Sequence, residues 1–273
     1  MQNWKLTLTY DGTGYHGWQV QPGLATIQGV LQAALHRILG ESPLPQGSGR
    51  TDAGVHALRQ VASFALVAPI PAENLRRALN RTLPPAIRVQ SAEIVASTFH
   101  ARHSAIAKTY EYRIFRGDMC SPFLAPYVHH CRWALDLEAL KQAAADVVGE
   151  HDFLSFAASD PDLADRSDES QCEGEVGARS AVRKIFSSQW TEAEGELLVY
   201  RVRGNGFLHH MVRNLVGTML EIGRGQFPAG SMRTILEARC RSAAGPTAPA
   251  RGLFLHSVEY PDIATDGAIQ IPC

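Results

Sequence analysis

A chain of 273 residues, 45% hydrophobic and 19% charged, has room for a sizeable core and suggests two domains at roughly 150 residues each. It has no run of about 18 apolar residues, which argues against a membrane helix. The opening MQNWKLTLTY lacks the basic and apolar regions of a signal peptide, so the expected location is the cytoplasm. The five cysteines, Cys120, Cys131, Cys172, Cys240 and Cys273, are odd in number and contain no C-x-x-C pair. That argues against a disulfide framework and against zinc, and His129-His130-Cys131 has no second ligand cluster to complete it.

The formal net charge of −1 is unevenly spread. Residues 160–176 hold seven acids and one base, which leaves the rest of the chain at +5. This acidic stretch, placed near 158–176, is poor in apolar residues and is expected to be a mobile insertion. The basic remainder permits an RNA partner.

In chain order, residues 3–10 alternate Trp4, Leu6, Leu8 and Tyr10 against polar neighbours, the pattern of a half-buried strand. Thr26 is suited to cap a helix with an apolar face of Ile27, Val30, Leu31, Ile38 and Leu39, ended by Gly40. A strand over 59–67 follows a Gly-rich loop, Pro71 starts a helix running to about Asn80, and strands are predicted over 87–95 and 107–116. Asp136 caps a helix predicted to stop at Gly149. Strands follow near 180–189 and 196–203, then helices over 207–222 and 230–239, and a last strand over 252–259. Strands that follow one another directly suggest α+β with antiparallel sheets rather than a doubly wound fold. The seam is placed near 100–106, giving halves 1–105 and 106–273.

Gly12-Thr13-Gly14-Tyr15-His16-Gly17 fits G-x-G-x-x-G after a strand, but dinucleotide binding needs a helix to open there. Pro22 blocks one, so the glycines read as a turn. Tyr15, His16, Trp18 and Gln19 either pack inside or offer a surface for unpaired bases.

Residues 49–57, GRTDAGVHA, are the most unusual stretch and lie between predicted strands. Asp52 has Arg50 two residues before it. A nearby cation favours an ionised carboxylate, which suits a nucleophile or base, although an Asp in such a loop is as readily a turn-capping residue. On a helix over 207–222, Leu208, Met211, Val212, Leu215 and Met219 share an apolar face, and His210, Arg213, Asn214 and Gly217 share another. A partly buried Arg213 there requires a carboxylate. His209 and His210, adjacent on a helix, would point about 100° apart and are read as packing or RNA contacts rather than metal ligands.

GRTDAGVHA resembles the catalytic motif of the TruA family of pseudouridine synthases. YDGTGYHGWQVQP, FHARHSAIAKTYEYRIF, GEHDFLSFAA, RSAVRKI, GNGFLHHMVRNLVG and AGPTAPARGLFLHSVEY resemble other family segments in the expected order, from Leu6 to Tyr260. The acidic segment is the clearest departure. The resemblance implies two ferredoxin-like halves related by a pseudo-twofold, with the cleft between them. It also implies a homodimer acting on tRNA, isomerising uridine to pseudouridine at positions 38, 39 and 40 of the anticodon arm, without cofactor or metal. It carries over Asp52 as the catalytic carboxylate, Tyr110 as a catalytic residue lying against the uracil, and Arg213 as the partner of Asp52. Arg50 either orients Asp52 or binds substrate, and Leu253 and Leu255 are read as core residues of the last strand, one of them lining the uracil pocket. Two rival readings remain: an RNA-binding module without turnover, and a hydrolase that would need a second acid such as Glu111 or Glu150.

Overall fold

A computed structural model of the chain describes residues 1–158 and 181–261. The acidic insertion expected at 158–176 therefore lies outside the described residues except for Ala158, as do Cys172 and Cys273. No helix among the described residues is long and apolar enough to cross a membrane.

The fold is α+β, built on a ten-stranded sheet. Its strands are β1 (Gln2–Tyr10), β2 (Gln46–Gly47), β3 (His56–Leu66), β4 (Ile87–Val95), β5 (Ala107–Phe115), β6 (His129–His130), β7 (Gly149–Asp152), β8 (Val182–Ala193), β9 (Leu197–Gly204) and β10 (Leu253–Glu259). The main order is β4-β1-β3-β10-β5-β9-β8-β7, with β2 on β3 and β6 on β5. Neighbours on either side of the centre are antiparallel. The junction is parallel: Phe254 and Leu255 of β10 pair with His56 and Ala57 of β3. The last strand thus joins the N-terminal strands to the C-terminal ones in one sheet.

The helices are α1 (Ile27–Leu39), α2 (Ala72–Thr82), α3 (Leu137–Asp146), α4 (Met211–Gly223) and α5 (Ser231–Ala238). Local signals explain most of their ends. Thr26 Oγ1 accepts from Gly29 N, and Gly40 at φ 72 donates to His36 O. Asp136 accepts from the amides of Glu138 and Ala139. Pro71 stands at the cap position of α2. The core fills from alternating strand positions, with Trp4, Leu6, Leu8, Tyr112, Ile114 and Tyr200 fully buried. Each large apolar side chain so buried contributes about 1.5–3 kcal/mol.

Several boundaries differ from expectation, β8 for one running on to Ala193 rather than 189. β3 starts at His56 rather than residue 59, because β10, distant in sequence, supplies its partner there. α3 ends at Asp146, and Gly149 at φ 115 opens β7 instead of closing the helix. α4 starts at Met211 rather than near 207, because His210 lies in the left-handed region at φ 58.

Candidate active site

Asp52 sits in the loop between β2 and β3, and main-chain bonds fix that loop. Thr51 O accepts from Trp18 N at 2.9 Å, Gly54 N donates to Tyr15 O, and Val55 N donates to Asp52 O. Gly17 explains why the G-x-G-x-x-G segment is glycine-rich. Its φ is 83, and a Cβ there would stand 2.5 Å from Thr51 O. The glycine segment is thus the bed of the Asp52 loop. Beneath it runs a buried polar chain: Tyr10 Oη to Thr51 Oγ1 at 2.8 Å, Ser48 Oγ to Gln60 Oε1 at 2.7 Å, and Gln60 Nε2 to Gly49 O at 2.8 Å. Burial pushes the Tyr10 phenol up to about 12, so it stays neutral. Trp18, considered as a base-stacking surface, is instead 2% exposed and packed near Tyr10. His16 and Gln19 line the cavity above.

The opposite wall is the start of α4. Arg213 Nη1 donates to Asp52 Oδ2 at 2.9 Å, and its Nε donates to Ala248 O at 2.8 Å. The 244–248 loop is locked to the helix. Asn214 Oδ1 accepts from Thr247 Oγ1 and Arg241, Thr218 Oγ1 accepts from Gly245 N, and Ala248 N donates to Arg213 O. Gly217 permits the approach, since a Cβ there would stand 1.7 Å from Pro246 O.

His209 and His210 depart from the sequence reading. They precede the helix instead of lying on it, so they are not held about 100° apart. His210 Nε2 is 3.3 Å from Asp52 Oδ2, and His209 Nε2 is 3.5 Å from Oδ1. The two rings stand 4.0 Å apart. Burial lowers the pKa of His210, opposed by the Asp52 charge and aided by His209, Arg213 and Arg241.

Between the walls lies a cavity of about 610 Å³. Among the described residues lining it, Asp52 is the one carboxylate, while Arg50, Arg102, Lys108 and Arg213 are basic. Tyr110 on β5 also faces it, 8% exposed and edge-on to Phe207 with centroids 5.0 Å apart. Burial, with Tyr10 and Asp52 adding, raises the Tyr110 phenol far above its ordinary value. Lys108 donates to Ser48 O, and burial, with Arg102 and Arg183 adding, pulls its ammonium down to about 8.

The fold therefore brings Asp52, Tyr110 and Arg213 into one cavity from the 47–55 loop, β5 and α4. Arg50 is exposed on its rim. Leu253 lines the cavity, whereas Leu255 is fully buried in the core. Of the two alternative acids, Glu111 is engaged by Arg113 and Arg201 and Glu150 is exposed; neither lines the cavity. Sequence reasoning missed His209, His210, Lys108 and Phe207 as cavity residues. The polar-rich GNGFLHH stretch before α4 carried a signal, but without the left-handed turn at His210 it reads as helix.

The family model described as tRNA pseudouridine synthase matches residues 7–104 and 143–261. A tRNA pseudouridine synthase A from Solibacter usitatus is 52% identical over 260 residues, covering 95% of this chain and 100% of the relative. Proteins of the same name from Bordetella petrii and Syntrophotalea carbinolica are 43% and 42% identical, covering 99% and 94% of this chain and 97% and 95% of their own lengths. With this coverage and the shared motifs, the chain belongs to the tRNA pseudouridine synthase family.

Proposed function

We propose that the protein isomerises uridine to pseudouridine in tRNA, at positions 38, 39 and 40 of the anticodon arm. The observation that carries this reading is Asp52, the one carboxylate among the described residues lining a cavity rich in basic side chains, held by Arg213 and sharing that cavity with Tyr110. Basic walls suit a polyanion, and a lone carboxylate suits chemistry on a sugar without a second acid.

A uridine stacked in a stem leaves the stack to reach Asp52, so the base flips into the cavity. The carboxylate attacks C1′ or removes the C2′ proton, and the N1–C1′ bond breaks. The uracil turns, C5 bonds to C1′, and the C5 proton is released while N1 gains one, so no outside group is consumed. Arg213 fixes the carboxylate against the sugar. Tyr110 holds the uracil in place and assists removal of the C5 proton. Arg50, on the rim, positions the nucleotide. The halves 1–105 and 106–273 each supply part of the site: Asp52 from the first, Tyr110 and Arg213 from the second. A homodimer and a cytoplasmic location complete the reading, the first of them supported by the resemblance alone.

The test is tritium release from tRNA labelled at C5 of uridine. Release by the parent and none by Asp52→Ala supports the isomerase. Binding of tRNA without release by the parent would instead favour an RNA-binding module.

A further inference from the structure

We propose that the cavity also chelates a divalent transition-metal ion such as Zn²⁺ through Asp52 Oδ1, His209 Nε2 and His210 Nε2, and that the ion inhibits the enzyme by occupying its carboxylate. The inhibitory part rests on the isomerase reading above; the binding part does not.

Geometry carries the site. Among the described residues, these are the one group of three such donors whose ligand atoms lie within 4.8 Å of one another. His209 Nε2 lies 3.5 Å from Asp52 Oδ1, and His210 Nε2 lies 3.3 Å from the other oxygen, Oδ2. Ligands about 2.1 Å from a tetrahedral zinc stand about 3.4 Å apart, the spacing His209 Nε2 and Oδ1 already have, and His210 must swing from Oδ2 toward Oδ1 to join them. Two imidazoles and a carboxylate form a donor set that borderline ions such as zinc accept, with a fourth position left for water. The donors also line an open cavity, which gives the ion a path in. The left-handed turn at His210 turns adjacent histidines toward one point, as a helix would not.

Two features limit the affinity. Arg213 lies 2.9 Å from Oδ2, leaving Oδ1 for the ion and setting a positive charge nearby. His209 Nδ1 is buried without a hydrogen-bond partner, where a metal-bound histidine ordinarily donates to one. The site is therefore weaker than a structural zinc site and reversible. An ion on Asp52 takes the lone pairs that would otherwise engage the ribose, so the expected effect is inhibition competitive with tRNA.

The experiment uses the full chain stripped with chelator. Co²⁺ is titrated in while its visible d–d absorption is followed, and Zn²⁺ is then titrated against tritium release. We expect one four-coordinate site per chain, displaced by tRNA. His209→Gln and His210→Gln should each weaken it at least about tenfold. Zn²⁺ should abolish tritium release, and EDTA should restore it. Asp52→Asn removes the anionic ligand at nearly constant shape, and circular dichroism confirms that each variant is folded. Absence of such a site, a site indifferent to all three substitutions, or Zn²⁺ bound without inhibition would each overturn the proposal. A chain that binds Co²⁺ as described but never releases tritium would instead fail the isomerase reading and, with it, the inhibitory role.

Discussion

Asp52 is held mainly by main-chain bonds of its loop, whereas Arg213, which meets it, stands on a helix start held mainly by side chains. The Asp52 loop is fixed by amide and carbonyl bonds to Tyr15 and Trp18, with Gly17 pressed beneath it. The start of α4 is fixed by Asn214 and Thr218, one helical turn apart, which grip the 244–248 loop. A loop held by its backbone depends on residues with no side chain in the way. A helix held by side chains depends on polar residues at the right spacing, and on Gly217 where the other loop crosses. The two walls also divide the charge: one brings the carboxylate, the other the guanidinium and the imidazoles.

Breaking the chemistry while sparing both walls should give the largest effect. Asp52→Asn keeps the loop's backbone bonds and removes the anion, so tritium release should fall about 10⁴-fold while tRNA binding persists. Release within tenfold of the parent would refute Asp52 as the reacting group. Arg213→Lys tests the contact between the walls. Lysine keeps the charge but cannot reach Asp52 and Ala248 O together, so a loss of about 10²-fold is expected, mostly in kcat. Gly217→Ala strikes the second wall alone. Its methyl would meet Pro246 O at 1.7 Å, and about 3 kcal/mol of stability should be lost, read as a fall in Tm. An unchanged Tm would mean that the 244–248 loop yields without cost.

The difference between the walls also explains what the sequence could disclose. The Asp52 loop is contiguous, so GRTDAGVHA announces it. Caps at Thr26 and Asp136 and the alternation from Trp4 to Tyr10 are local as well, and the element starts they mark stand within a residue of expectation. The parallel pairing of β3 with β10 joins residues that no local pattern connects, and with it went the start of β3. The turn at His210 was illegible for another reason. Residues other than glycine seldom adopt a left-handed backbone, and no local signal in the sequence marks His210 as one that does. This gives a sharp test of the second wall. If His210 were helical, alanine would suit it better than glycine by about 1 kcal/mol. In the left-handed conformation the order reverses, so His210→Gly should be about 1 kcal/mol more stable than His210→Ala. Urea unfolding of the pair decides between the two.

A last effect, read from pH dependence, concerns Lys108, which tethers β5 to the Asp52 loop by donating to Ser48 O. Burial, with Arg102 and Arg183 adding, holds its ammonium at about 8 in the folded chain, against 10.5 as its ordinary value. Below about pH 8 the side chain is charged in both folded and unfolded states, and the folded state bears the full cost of burying that charge. Between pH 8 and 10.5 the unfolded chain still binds a proton that the folded chain has released, so the cost falls as pH rises. Lys108→Met has no such proton. The stability of the parent minus that of Lys108→Met should therefore climb across this window, while titrations elsewhere cancel in the difference. A flat difference would mean that the ammonium stays solvated in the cavity. The tie between the first wall and β5 would then be an ordinary charged hydrogen bond, with no buried charge to relieve.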